Sequence, residues 1–193
     1  MARAVEEIDR RRFTVAEYHR MAESGILQPN ERVELIRGVV RRMSPKNRAH
    51  VVAATRLYQR LVHSLAGRAA VFKEDPLKLV RLDSEPEPDI VVTSSPDIDA
   101  YGTEGSKPLL VVEVAESSLR YDLNVKADLY AEAGVPEYWV VNLVDRELDV
   151  FGSARDGVYR DRATYRAGDR AAPRAWEDVV IDVAELFPAD EHP

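Results

Sequence analysis

The stretch Leu109-Leu110-Val111-Val112-Glu113-Val114-Ala115 is a dense aliphatic run with a single carboxylate inside it. A run of this composition, free of Gly and Pro, predicts a central β-strand that is buried on both faces. Alternation along a strand places Glu113 on the same face as Val111, with Val112 and Val114 on the other. Burying an unpaired carboxylate costs several kcal/mol, so a metal ion, a cationic side chain or a proton must compensate for Glu113. The structural alternative is a buried Glu113 that pairs with an arginine in a closed core.

A second carboxylate, Asp89, stands at the start of the preceding aliphatic run. It follows Pro86-Glu87-Pro88 and precedes Ile90-Val91-Val92. Taken alone, an aspartate after proline is typical of a turn that ends where a strand begins. Two adjacent central strands can bring Asp89 and Glu113 to one edge of the sheet, within reach of a single hard cation. Mg²⁺ binds a few carboxylates, several waters and phosphate oxygens, so this pair predicts a metal site.

Turn residues and hydrophobic periodicity predict the elements around these two runs. Helices are expected over residues 14–24, 47–67 and 122–133. Strands are expected over residues 32–36, 39–43, 70–73, 77–80, 89–93, 109–115, 137–142 and 147–151. Residues 94–107 predict a polar loop, and the part beyond residue 152 has few strong signals. The order predicts one domain over residues 1–193, of the α/β or α+β class, with a mixed central β-sheet flanked by helices.

Several polar residues outside the two runs have both a functional and a structural interpretation. Asp122, Lys126 and Tyr130 share one helical face, and on the pattern alone a surface Asp–Lys pair is the simpler interpretation. Glu34 lies among aliphatic residues, which a half-exposed hairpin strand explains equally well. His50 lies near the start of the long helix, where a capping or packing role is commoner than metal binding.

Composition limits the classes of function. The chain of 193 residues has no cysteine, which excludes disulfides, thiolate metal sites and a cysteine nucleophile. The net charge is −7, yet residues 1–60 hold 13 Lys and Arg against 7 Asp and Glu. Such asymmetry is typical either of a phosphate-facing surface or of an ordinary solvated one. No run is long enough for a membrane span, and residues 1–12 lack the apolar segment of a signal peptide, so we expect a cytoplasmic protein without membrane contact.

An ordered set of motifs in this chain resembles the Uma-two family of restriction endonucleases, within the PD-(D/E)xK nuclease superfamily. The resemblance covers a core of about residues 14–151, and residues 152–193 form a C-terminal extension that adds little to it. The motifs that carry it are Glu34-Leu35-Ile36-Arg37-Gly38, His50, Glu87-Pro88-Asp89-Ile90, Leu110-Val111-Val112-Glu113-Val114, Asp122 to Lys126 with Tyr130, and Gly134-Val135-Pro136-Glu137-Tyr138-Trp139-Val140-Val141.

The resemblance implies a restriction-endonuclease-like fold and assigns roles to individual residues. Asp89 and Glu113 would be the motif carboxylates that bind the metal, and Glu34 a further acidic residue that completes the site. The motif lysine is expected two residues after the glutamate, where this chain has Ala115. The family pattern implies that Lys126 supplies the amine instead. His50, Asp122 and Tyr130 would be additional site residues.

These residues lead to three hypotheses about function. The first is an endonuclease that hydrolyses DNA with water activated by Mg²⁺ or Mn²⁺. The second, motivated by Ala115 and the acidic net charge, is a catalytically degenerate nucleic-acid- or protein-binding module on the same scaffold. The third is a dimerising structural protein. Tyr138 and Trp139 would be candidates for a homodimer surface, although residues of this kind more often belong to the core.

Overall fold

The computed structural model describes residues 10–188, and these divide into two compact units. The first unit contains residues 10–43 and 78–86, and the second contains residues 44–77 and 87–188. Among residues 10–188, every helix is too short or too polar to cross a membrane.

The first unit consists of one helix and one hairpin. Helix α1 (Val15–Glu23) begins with the predicted capping box, in which the Thr14 side chain accepts from the Glu17 N–H and the Glu17 side chain accepts from the Thr14 N–H. Strands β1 (Val33–Ile36) and β2 (Val39–Arg42) pair antiparallel, as the sequence predicts. The turn between them, Arg37-Gly38, has positive φ at both residues. A Cβ at Gly38 would lie 2.6 Å from the Arg12 Cβ, so only glycine fits there.

The prediction of a strand over residues 77–80 is wrong. Residues Val80–Leu82 form a 3₁₀ turn, and Asp83 follows with a left-handed backbone. Leu79 and Ser84 bond to each other as an isolated bridge. Because the chain reverses so tightly, the aliphatic run is too short to pair further, and the Val80 side chain is 65% exposed.

The second unit is built on a mixed six-stranded sheet in the order β3-β4-β5-β6-β7-β8. Only β5 and β6 pair in parallel. The mixed sheet flanked by helices confirms the predicted fold class. The strands are β3 (Val71–Lys73), β4 (Ile90–Thr93), β5 (Pro108–Ala115), β6 (Glu137–Asn142), β7 (Glu147–Arg155) and β8 (Val158–Tyr165).

One face of this sheet is covered by helix α2 (Arg48–Ser64) and by the C-terminal segment. The buried residues of α2 are Ala53, Ala54, Leu57 and Leu61, and they belong to one core cluster with Val112, Val114 and Trp139 of the sheet. The C-terminal segment adds the short strands β9 (Arg170–Ala171) and β10 (Ile181–Asp182) and helix α5 (Val183–Leu186). Residues 153–188 therefore supply strand β8 of the sheet and part of the core, which their weak sequence signals do not indicate.

The chain from β5 to β6 forms a helix in three parts. Helix α3 (Leu119–Tyr121) leads into a π-helical segment, Asp122–Lys126, which continues as helix α4 (Ala127–Glu132). Tyr130 of α4 packs against Tyr138 of β6, with ring centroids 5.0 Å apart. Tyr138 and Trp139 are fully buried, so the hypothesis that these two residues form a homodimer surface is wrong.

The α2–sheet packing predicts a large difference between two neighbouring residues of α2. Leu61 is fully buried in the core cluster, whereas Val62 is 41% exposed. Leu61→Ala should lower the free energy of unfolding by about 2–5 kcal/mol, because it leaves a cavity in the core. Val62→Ala, the matched control, should change it by about 0.5 kcal/mol or less. Urea denaturation measures both, and equal effects would contradict the assignment of the α2 core face.

Candidate active site

Asp89 is buried at the start of β4, and both of its carboxylate oxygens accept hydrogen bonds. Oδ1 accepts from the Lys46 ammonium at 3.0 Å and from His50 Nε2 at 2.9 Å. Oδ2 accepts from the backbone N–H of Val114 at 2.8 Å. The β4–β5 register pairs Ile90 with Val112, so Asp89 lies one position outward, beside Glu113 and Val114. The asparagine side chain of Asn47 caps α2 and thereby fixes the start of the helix that carries His50.

These contacts set the charge state of Asp89. Burial alone would raise the pKa of Asp89, but the hydrogen bond from His50, the positive charges of His50 and Lys46, and the Val114 N–H together lower the pKa to about 2. Asp89 is therefore a carboxylate throughout the neutral range.

The Glu113 carboxylate is held by the helix that follows β5. Its Oε1 accepts from the Lys126 ammonium at 2.8 Å and from the Tyr130 hydroxyl at 2.9 Å. Glu113 is 5% exposed, Lys126 4% and Tyr130 fully buried. The buried Glu113 thus pairs with a lysine from the helix that follows β5.

The π-helical segment Asp122–Lys126 determines where Lys126 points. A π turn widens the helix by one residue per turn, and such turns are frequent at functional sites. Asp122 and Lys126 are both buried here, so the interpretation of a surface Asp–Lys pair is wrong. The backbone carbonyl of Asp122 accepts from the Tyr138 hydroxyl at 3.1 Å, which ties the start of the segment to β6.

Two polar residues beside Asp89 were not predicted from the sequence, Lys46 and Glu74. The Lys46 ammonium lies 3.0 Å from Asp89 Oδ1 and 3.1 Å from Glu74 Oε2. Glu74 follows β3 and its N–H bonds to the Asp89 carbonyl at 3.2 Å, so the two carboxylates stand on neighbouring strands. Lys46 precedes the N-cap of α2, so helical periodicity gives no signal for it. Glu74 could be found only from the strand register.

Glu34 belongs to the first unit, where it lies on β1 opposite Arg41 of β2. It is 4% exposed, and all four residues of β1 are buried. The interpretation of Glu34 as part of a half-exposed strand is therefore wrong. Its assignment as a further metal-binding acid stays a prediction.

The donor set around Asp89 and Glu113 suits a hard divalent cation. Both side chains are carboxylates, the ligands that Mg²⁺ and Mn²⁺ prefer. Among residues 10–188, no group of three or more His, Asp or Glu side chains is arranged to hold a metal ion by itself. A metal here would therefore take two protein carboxylates, with water and phosphate oxygens as its other ligands. It would also have to displace the Lys46 ammonium that now contacts Asp89 Oδ1.

The low pKa of Asp89 makes a prediction about acid stability. The ionised Asp89 stabilises the fold above the unfolded-state pKa of 3.8, and this contribution is lost as the pH falls toward about 2. Between pH 5 and pH 3 the wild type should lose about 1 kcal/mol of unfolding free energy through this group alone. Asp89→Asn should lack that component when both proteins are compared by urea denaturation. An identical pH dependence in the two proteins would contradict the charge state assigned to Asp89.

No curated protein matches the chain. Among solved structures, a "putative nuclease belonging to DUF820" from Anabaena variabilis ATCC 29413 superposes with a TM-score of 0.71. That structure is 13% identical in sequence, and the match covers 91% of this chain and 97% of the other. At this identity the likeness shows a shared fold, and it agrees with the mixed sheet described above.

A family model described as "Uma2: Putative restriction endonuclease" matches residues 15–184. The match includes every strand of the six-stranded sheet and the residues from Lys46 to Tyr130 that form the candidate site. The family description supports a nuclease-like function. The chain belongs to the Uma2 family of restriction-endonuclease-like proteins.

Proposed function

We propose that the protein is a metal-dependent endonuclease that hydrolyses phosphodiester bonds of DNA. The observation that carries the proposal is the position of Lys126. Ala115 replaces the lysine that the usual motif places on β5, yet the Lys126 ammonium reaches Glu113 Oε1 at 2.8 Å from the π-helical segment. Carboxylates from β4 and β5 and an amine from the following helix thus supply the three functional groups that the family pattern requires.

Each group has a role that follows from its chemistry. Asp89 and Glu113 would hold Mg²⁺ or Mn²⁺, which when bound supplies Lewis acidity toward water and toward the scissile phosphate. Tyr130 and Lys126 orient the Glu113 carboxylate by two hydrogen bonds. The Lys126 ammonium would also neutralise negative charge that develops on the phosphate in the transition state. His50 orients Asp89 through Oδ1. On the family pattern alone, we also propose Glu34 of the first unit as a functional acid.

One observation favours the second hypothesis, a catalytically degenerate binding module. Oδ1 of Asp89 already accepts from both Lys46 and His50, so two nitrogen donors occupy the place where a metal would bind. In such a module the lysines would be permanent counter-ions and no divalent cation would be needed. Binding of nucleic acid without metal-dependent cleavage is the result that would distinguish it from an endonuclease.

The proposal predicts that the purified protein cuts supercoiled plasmid DNA only when Mg²⁺ or Mn²⁺ is present. Asp89→Asn and Glu113→Gln should each lower the cleavage rate by at least about a hundredfold, because each removes a negative ligand that water and phosphate cannot replace. Lys126→Met should lower it by about a hundredfold, the usual effect of losing one charge-stabilising group. Gel electrophoresis of nicked and linear products measures all three rates.

Glu177→Gln is the matched control, since Glu177 is an exposed glutamate of the second unit, and it should leave the rate unchanged. Single-stranded DNA and RNA offered under the same conditions test the preference for duplex DNA. Cleavage that survives in both Asp89→Asn and Glu113→Gln would contradict the site assignment. Cleavage that is equal with and without a chelator would contradict the metal dependence.

A further inference from the structure

The ammonium group of Lys46 lies between two carboxylates from neighbouring strands. It is 3.0 Å from Asp89 Oδ1 and 3.1 Å from Glu74 Oε2. The two carboxylates differ in their surroundings, since the Asp89 side chain is 5% exposed and that of Glu74 is 45% exposed. Lys46 itself is 16% exposed, and the residue precedes α2. One flexible lysine therefore contacts both a buried and a solvent-facing acid.

Lys46 and a divalent cation would compete for the same oxygen. The proposed metal ligand Asp89 offers Oδ1 to Lys46 and His50, and its Oδ2 is bonded to the Val114 N–H. A divalent ion on Oδ1 beside the Lys46 ammonium is strongly disfavoured, because like charges a few ångströms apart repel at the effective dielectric of a protein surface. The ammonium must therefore leave Asp89 when the metal binds.

Glu74 can bind the Lys46 ammonium after it leaves Asp89. Its carboxylate already contacts Lys46, so the lysine keeps one ionic partner after it leaves Asp89. The Glu74 side chain is nearly half exposed, which lets water solvate the relocated ammonium at little cost. Without Glu74, the displaced Lys46 would remain an uncompensated cation next to the metal.

We propose that Lys46 is a built-in counter-ion of the metal-free site, which occupies Asp89 until a divalent cation binds and then transfers to Glu74. The inference rests on the proposed function, in which Asp89 is a metal ligand. Lys46 acts here as a positioning residue: it compensates the buried Asp89 charge before metal binding and raises the metal concentration at which the site fills. Glu74 has the opposite influence, because it stabilises the state in which Asp89 is available.

Calorimetric titration of Mn²⁺ alone into the full chain tests the proposal, with circular dichroism to verify folding. Lys46→Met should bind Mn²⁺ about tenfold more tightly than the wild type, because it removes the competing charge. Lys46→Arg keeps the charge and should stay close to the wild type. Glu74→Gln should bind Mn²⁺ more weakly, and this loss should vanish in the Lys46→Met/Glu74→Gln double variant, because the two residues act through one contact.

Lys73→Met is the matched control. Lys73 lies beside Glu74 at 3.8 Å but donates its hydrogen bond to Thr55 at 3.2 Å, so its loss should leave Mn²⁺ affinity within about twofold of the wild type. A purely structural role for Lys46 would lower the thermal midpoint of Lys46→Met without tightening Mn²⁺ binding, and that result would overturn the inference.

The proposed metal site is tested separately by Asp89→Asn in the same titration. Mn²⁺ binding that is lost in Asp89→Asn but not tightened in Lys46→Met would overturn only the role of Lys46. Absence of Mn²⁺ binding in both the wild type and Lys46→Met would overturn both proposals. Binding seen in Lys46→Met alone would support the counter-ion role, because the lysine would then be the barrier to metal binding.

Discussion

The compensation of two buried carboxylates is the constraint on which the second unit depends. Asp89 and Glu113 lie on neighbouring strands of a sheet whose other residues there are aliphatic. Neither charge could remain in this position without a partner, because removing one partner of a buried ion pair is strongly destabilising. Elements on both sides of the sheet supply hydrogen-bond donors to these two carboxylates. The start of α2 delivers cationic groups to Asp89, and the helix after β5 delivers an ammonium and a hydroxyl to Glu113.

The two carboxylates are compensated in different ways, and this difference suits different roles. Glu113 is held by Lys126 and Tyr130, two groups that are themselves almost completely buried. Asp89 is held partly by Lys46, which is accessible to solvent and shares a second acid, Glu74. Burial of all three groups fits the preorganised role proposed for Glu113. The solvent access of Lys46 fits the cation exchange proposed at Asp89.

Much of the fold could be predicted from local patterns, because these elements carry local signals. The capping box at Thr14, the periodicity of α2 and the aliphatic runs of β4, β5 and β6 each specify their element without help from the rest of the chain. The exceptions are segments whose structure depends on distant partners. Residues 77–80 have strand-like composition but no neighbouring strand to pair with along their length. Strand β8 is largely exposed and has a polar sequence, so its pairing with β7 decides its structure.

The residues of the candidate site also differ in whether a local sequence signal predicts them. Glu113 could be singled out from the sequence because a charge inside an aliphatic run is anomalous by itself. Lys126 could be proposed only through the family pattern, since its buried position depends on a π-helical segment that periodicity does not indicate. Glu74 could not be found at all, because its place beside Asp89 follows from strand register and not from any local motif.

The most direct test of the central claim is anomalous diffraction from crystals of the protein soaked in Mn²⁺. The account predicts one strong anomalous peak in contact with carboxylate oxygens of both Asp89 and Glu113, with the Lys46 ammonium turned away from Asp89. It would be contradicted by crystals in which Mn²⁺ binds elsewhere, or in which the Lys46 ammonium still contacts Asp89 at saturating Mn²⁺.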